Sequence, residues 1–263
     1  MLHISLAAEP IAHIGSFPIT NSLALTWLVM ALLIALAVSV SHKTQLIPSN
    51  GQSIIEVIIE GLWDFFGSVV GHQIKALFPL IASLFIFILV SNWIGLVPGV
   101  GTIGFFHKEP TKQEVAATTS SIEATAETPE PEAEFVPLFR GPTADLNTTI
   151  ALALIAFAAI QFFGFKTLGI HYGQRFINVK NPIMAFVGIL EIISDVSKVI
   201  SFAFRLFGNV FAGEVLLAVM AFLMPFVAPM PFIALELFVG FIQALVFSTL
   251  TAVFVNVAVS HEG

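Results

Sequence analysis

Glu191, Ser194, Lys198, Ser201, Arg205 and Asn209 run through one of the most apolar stretches of the chain, separated by 3, 4, 3, 4 and 4 residues. At about 100° per residue they fall within roughly 120° of one another on a helix, and Asp195 lies at the edge of that sector. A charge inside a membrane span costs about 2.5–3.5 kcal/mol by insertion scales, so such a stripe must face water, a partner or a cavity. Glu214 comes nine residues after Arg205, about 180° around the same helix. Farther on, Glu236 and Gln243 are seven residues apart and nearly aligned, with Gly240 between them to permit close approach. Carboxylates relay protons when desolvation or neighbours tune them to the working pH. Arg205 cannot relay, because a guanidinium keeps its proton in proteins. These residues therefore spell an outer acidic cluster, a central fixed cation and an inner polar stripe, with Glu191 roughly 20 Å inward of Arg205.

Each residue also has a plain structural reading. Ser194 and Ser201 can bond carbonyls of their own helix. Lys198 can snorkel or pair with Asp195 or Glu191, and Arg205 can sit in a structural ion pair. Glu56, Glu60 and Asp64 read as a solvated face, and Asp145 as a helix cap. The histidines, at positions such as His13, His42, His72 and His107, lack metal-ligand spacing, so no metal and no cofactor is expected. The stripe as a set is harder to explain away than any member.

The elements that must hold these residues follow from composition. Of 263 residues 57% are hydrophobic and 10% charged, against about 25% charged in soluble domains. There is no cysteine, so disulfides and thiolate metal sites are excluded. The net charge of −7 rules out a basic nucleic-acid surface. No Walker A sequence is present, so direct nucleotide binding is not expected. The first residues do not read as a cleaved signal peptide.

Leu23 to Val40 is long enough to span a bilayer. From Ser53 to Val70 the acidic residues at i, i+4 and i+8 mark an amphipathic, interfacial helix. Leu77 to Val97 is the next span, with Pro79 in its first turn. Residues 99–144 are rich in Thr, Ala, Glu and Pro, and read as a solvated, disordered loop. Leu146 to Phe165 is apolar again and follows a cap at Thr143 or Asp145. Ile183 to Met224 carries no proline. As one helix it is roughly 60 Å long, twice a hydrocarbon core of about 30 Å. Without an internal turn signal, a strongly tilted helix is the better reading. Pro225, Pro229 and Pro231 make a turn, and Phe232 to Val259 returns. The expected fold is all-α integral membrane: a single membrane domain of five transmembrane helices plus the amphipathic helix, with 183–259 as the ion-path hairpin. Lys43, Lys166, Arg175 and Lys180 place the short loops in the cytoplasm, which puts residues 1–22 and 99–144 outside and the C-terminus inside.

The run from Ser201 through Arg205 and Asn209 to Glu214, SFAFRLFGNVFAGE, closely resembles the signature of the ATP synthase subunit a family. Pro142 to Thr149 (PTADLNTT), Ser91 to Leu96 (SNWIGL) and Gln243 to Phe247 (QALVF) are similar to further segments of that family. The resemblance implies a tilted hairpin against a ring of c subunits, with b-type peripheral stalk subunits as further partners in the bilayer. It implies two ion half-channels that couple proton flow to rotor rotation and ATP synthesis by the assembly, and no chemistry on ATP by this chain. Arg205 would face the ring carboxylate, promote its deprotonation and block leakage. Asn209, Glu214, Glu236 and Gln243 would line the outer path, and Glu191, Ser194 and Ser201 the inner one. Asp145, Asn147, Asp195 and Lys198 would support them. Some family members hold a Glu/His pair where this chain has Glu214 and Glu236, so here two close carboxylates are expected to share a proton. A bacterial inner membrane is the expected location. A secondary transporter or channel, which would show internal repeats or broken helices, and a non-conducting structural subunit stand as alternatives.

Overall fold

The structure is a computed structural model that describes residues 9–14, 17–42, 50–101, 103–107, 134–169, 172–173, 176, 182–224 and 227–260. Six long helices carry it: α1 (Asn21–His42), α2 (Asn50–Val70), α3 (Ile74–Ile94), α4 (Leu146–Leu168), α5 (Pro182–Leu223) and α6 (Pro229–Ser260). Their apolar lengths give five stretches able to cross a membrane, with α2 and α3 counted as one stretch from Asn50 to Ile94. α5 is one helix of 42 residues and α6 one of 32, about 63 and 48 Å long. Both are thus longer than a perpendicular crossing needs.

α2 is amphipathic as its sequence implies. Leu62, Phe66 and Val70 are buried, while Glu56, Glu60 and Asp64 are exposed. Gly71, at φ 65°, interrupts the helix and starts a single 3-10 turn before α3. Because α3 therefore begins at Ile74, Pro79 lies inside the helix rather than in its first turn.

The described ends of the 99–144 stretch depart from the expected disorder. With β1 (Pro10–Ile14) and β2 (Phe17–Thr20) forming an antiparallel hairpin near the N-terminus, the later strands are β3 (Pro98–Gly101), β4 (Gly104–His107) and β5 (Glu134–Pro137). β4 and β5 pair antiparallel, with Phe105 opposite Val136 and Phe106 opposite Phe135. These aromatic and β-branched flanks favour a ladder, and only the stretch between them is polar. Residues 108–133, along with Lys43, Arg175, Lys180 and Pro225 invoked above, lie outside the described residues.

The core runs between α2, α3, α4, α5 and α6 and includes Phe66, Leu77, Ile81, Ile88, Leu206 and Phe247, all fully buried. Phe202 of α5 lies 4.9 Å from Phe247 of α6, ring centre to ring centre. Outside it, Trp27, Leu32 and Ile34 of α1 and Phe186, Ile189 and Phe204 of α5 are exposed, as lipid-facing side chains are.

At one end a polar layer joins the helices. Asp145 caps α4, its Oδ1 accepting from the Asn147 backbone N–H at 2.9 Å. Its Oδ2 accepts from the Ser22 hydroxyl of α1 at 2.6 Å. The Asn21 amide donates to the Pro137 carbonyl at 3.2 Å. So the start of α1, the end of β5 and the start of α4 are tied together, and the buried residues of α1 lie in its first three turns: Asn21, Ser22, Leu25, Thr26 and Val29. Losing a cap costs about 1 kcal/mol and losing a hydrogen bond to a charged group about 1.5–3, so Asp145→Ala should destabilise the fold by about 2–4 kcal/mol. Thermal unfolding of the solubilised protein would read this as a lowered midpoint. Asp145→Asn, which keeps an acceptor for the cap, should lose less; equal midpoints for all three would dismiss the latch.

Candidate functional site

α5 is two-faced. Asp195, Phe202, Ala203, Leu206 and Gly213 are buried, and Ser194, Ser201, Arg205 and Gly208 are exposed. The buried row packs on α4 and α6. Arg205 sits mid-helix on the open row, and among the described residues it has no ion-pair partner. Neither Ser194 nor Ser201 bonds its own helix among the described residues, while Ser197 does, to the Ile193 carbonyl.

The stripe is not uniform. Glu191, Lys198 and Asn209 are half-buried. Asp195 belongs to the packing interface: its Oδ2 accepts from the Gln161 amide of α4 at 2.8 Å and its Oδ1 from Lys198 Nζ at 2.7 Å. The same Nζ lies 5.1 Å from the centre of the Phe254 ring of α6, within cation–π range. Lys198 thus pairs with Asp195 and reaches α6, and the pair together joins α4, α5 and α6.

Toward the polar layer, α3, α5 and α6 enclose a cavity of about 20 Å³, room for one water molecule. Asn92, Gly95, Asn209, Glu214, Glu236 and Gly240 line it. Asn92 fixes its wall. Its amide donates to the Gly240 carbonyl at 3.1 Å, and its Oδ1 accepts from the Thr143 hydroxyl at 2.8 Å. Trp93 Nε1 donates to the Leu237 carbonyl at 3.0 Å. The Nδ2 of Asn209 and the Nε2 of Gln243 are buried without a hydrogen-bond partner among the described residues. Buried amides of this kind ordinarily find one; Asn209 lies on the cavity wall, where a water molecule would satisfy its donor, whereas Gln243 is not part of that wall.

Glu214 and Glu236 come from facing helices and meet here. Gly213 makes this possible: a Cβ at that position would overlap the Glu236 carboxylate. The sequence put the two acids at one end of the hairpin but missed a third participant. Arg140, buried in the loop between β5 and α4, places Nε 3.5 Å from Glu214 Oε2. Its only sequence signal was a lone arginine shortly before the Asp145 cap. Asp145 and Asn147 lie in the α1–α4 latch rather than on the cavity wall. The structure therefore brings Asn209, Glu214 and Glu236 together and sets Ser194, Ser201 and Arg205 on the open face. Asp195 and Lys198 go into a helix–helix lock.

A family model described as ATP synthase A chain matches residues 23–256, nearly the whole helical body. The chain belongs to the ATP synthase A chain family. It is similar to the ATP synthase subunit a of Syntrophobacter fumaroxidans, 32% identical over 99% of this chain and 92% of that protein. The subunit a of Desulfosudis oleivorans is 35% identical, over 90% of this chain and 86% of its own. That of Citrifermentans bemidjiense is 32% identical over the same shares. Family membership and, among the described residues, five helical stretches long and apolar enough to cross a membrane together make the chain a multi-pass membrane protein.

For a member of this family the Gly213–Glu236 contact has a measurable consequence. Gly213→Ala should push the Glu236 carboxylate off its seat. Ion-driven ATP synthesis by the assembled enzyme should fall between about tenfold and a hundredfold, the penalty of a displacement near 1 Å. The amount of chain in the membrane should stay normal, and undiminished synthesis would mean that the contact is immaterial.

Proposed function

We propose that this chain is the fixed half of a two-part ion path in the Fo sector of an ATP synthase, converting transmembrane proton flow into rotation of a neighbouring ring of c subunits. One observation carries the reading. Arg205 stands at mid-helix on the exposed row of α5, whereas Glu214, which lines the cavity together with Glu236, lies about 180° around that helix.

An exposed guanidinium at that depth calls for a polar partner, and a carboxylate on a moving ring is one. In this scheme a proton enters through Asn209, Glu214, Glu236 and Gln243 and loads the ring carboxylate. After nearly a full turn it leaves along Glu191, Ser194 and Ser201. Arg205 attracts the deprotonated ring carboxylate and, holding its own proton permanently, keeps the two routes apart. Asp195 and Lys198 support the inner route by fixing α5 on α4 and α6. The small side chains of Ser194, Ser201 and Gly208 around Arg205 let a facing helix approach closely. b-type stalk subunits hold the chain against torque. The location is the bacterial inner membrane, with the polar layer and N-terminus outside and the C-terminus in the cytoplasm.

Arg205→Ala should leave the complex assembled but abolish ion-driven ATP synthesis, a loss of at least about a hundredfold on the scale of a removed preorganised charge. Normal synthesis in that variant would sink the assignment. A cysteine at Ser201 should cross-link to the c subunit within the membrane, while one at Phe202, on the buried row, should not. Equal yields from the two positions would show that the open row does not face the ring.

A further inference from the structure

The two carboxylates of the cavity are not equivalent. Glu214 carries Arg140, 3.5 Å away, with the two side chains 33% and 10% exposed. The loop backbone follows the guanidinium inward, so that a Cβ on Gly141 would stand 3.3 Å from Glu214 Oε1. Glu236 has no such cation. Its carboxylate lies against Gly213, the residue next to Glu214, and among the described residues it enters no ion pair. Among the described residues, the cavity wall and its ion pair carry Arg140 from the loop, Glu214 from α5 and Glu236 from α6; α3 contributes the neutral Asn92.

We infer that Arg140 is a positioning residue of the outer route: it holds Glu214 as a fixed anion and leaves Glu236 as the carboxylate that accepts and passes the proton. This rests on the ion-path reading above and assigns separate roles within the pair of carboxylates that the sequence expects to share a proton. A carboxylate bound to a guanidinium is held in place and in charge. A free neighbour can take a proton from the cavity side and release it toward Arg205. Removing one member of a buried ion pair leaves the other uncompensated. Without Arg140, Glu214 competes with Glu236 for the proton. Without Glu214, more of the field of Arg140 falls on Glu236 and hinders its proton release.

The test measures passive proton conduction and ATP-driven proton uptake in membrane vesicles carrying the assembled enzyme, with the amount of chain in the membrane checked by immunoblot. Arg140→Gln and Glu214→Gln should each lower flux by about tenfold. The double variant should recover at least about threefold over either single one, because the pair leaves together. Arg140→Lys, which keeps the charge, should fall less than Arg140→Gln. Glu236→Gln should not be rescued by Arg140→Gln. Losses that multiply in the double variant, a double variant that fails to assemble, normal flux in Arg140→Gln, or rescue of Glu236→Gln by Arg140→Gln would each overturn the inference. Arg205→Ala in the same vesicles separates the two levels. If its ATP-driven proton uptake too is normal, the ion-path reading has failed; if that uptake is lost while Arg140→Gln is normal, only the role of Arg140 has.

Discussion

A polar atom in hydrocarbon costs several kcal/mol unless another polar atom meets it. Apolar faces impose no comparable demand, since lipid tails cover a leucine as well as another helix does. The register of this bundle is therefore set by a small number of polar contacts. Asn92 satisfies both ends of its amide, on Thr143 and on the Gly240 carbonyl. Trp93 reaches the next turn of α6, and Asp145 spans α1 and α4. These contacts lie at one level, and they fix α6 relative to α3 closely enough for Glu236 to rest on a glycine of α5. At the opposite end the Asp195–Lys198–Gln161 contact plays the same part. Between the two levels the core is phenylalanine and aliphatic packing.

Much of this was legible in the sequence. The single helix from Pro182 to Leu223 follows from the lack of proline or turn pairs within it. The α4 cap follows from an aspartate before an apolar run, and the central arginine from its isolation among aliphatic residues. Other features were hidden for physical reasons. Helical periodicity placed Asp195 at the margin of the polar sector, and a few tens of degrees decide whether such a side chain meets a neighbouring helix or open space. Only the packing of α4 puts it inside. Arg140 lies in a loop whose course depends on β5 and on the α1 latch, so nothing local pairs it with Glu214. The polar composition of 99–144 hid the β4–β5 ladder, because the residues that form it are few and lie at the margins. A glycine such as Gly213 carries no pattern at all; its meaning is the side chain that fills the space it leaves.

The two halves of the site differ in construction. The cavity side is walled by three helices and a loop, all from this chain, and one of its two acidic groups, Glu214, is held at short range by a neighbouring cation. The other side is a row of small and polar residues along α5, exposed or half-buried, with no wall of its own among the described residues. In the proposed path the outer route is thus largely prefabricated, whereas the inner route exists only where a second surface closes it. Length serves the same arrangement: a helix of about 63 Å can carry both routes and the barrier between them.

The bare guanidinium of Arg205 also bears on biogenesis. A newly inserted copy of the chain must hold that charge among acyl chains until something covers it, at about 2.5–3.5 kcal/mol on the insertion scale. The helix is tolerated alone but is better off in company, and the difference acts as a thermodynamic pull toward the finished enzyme.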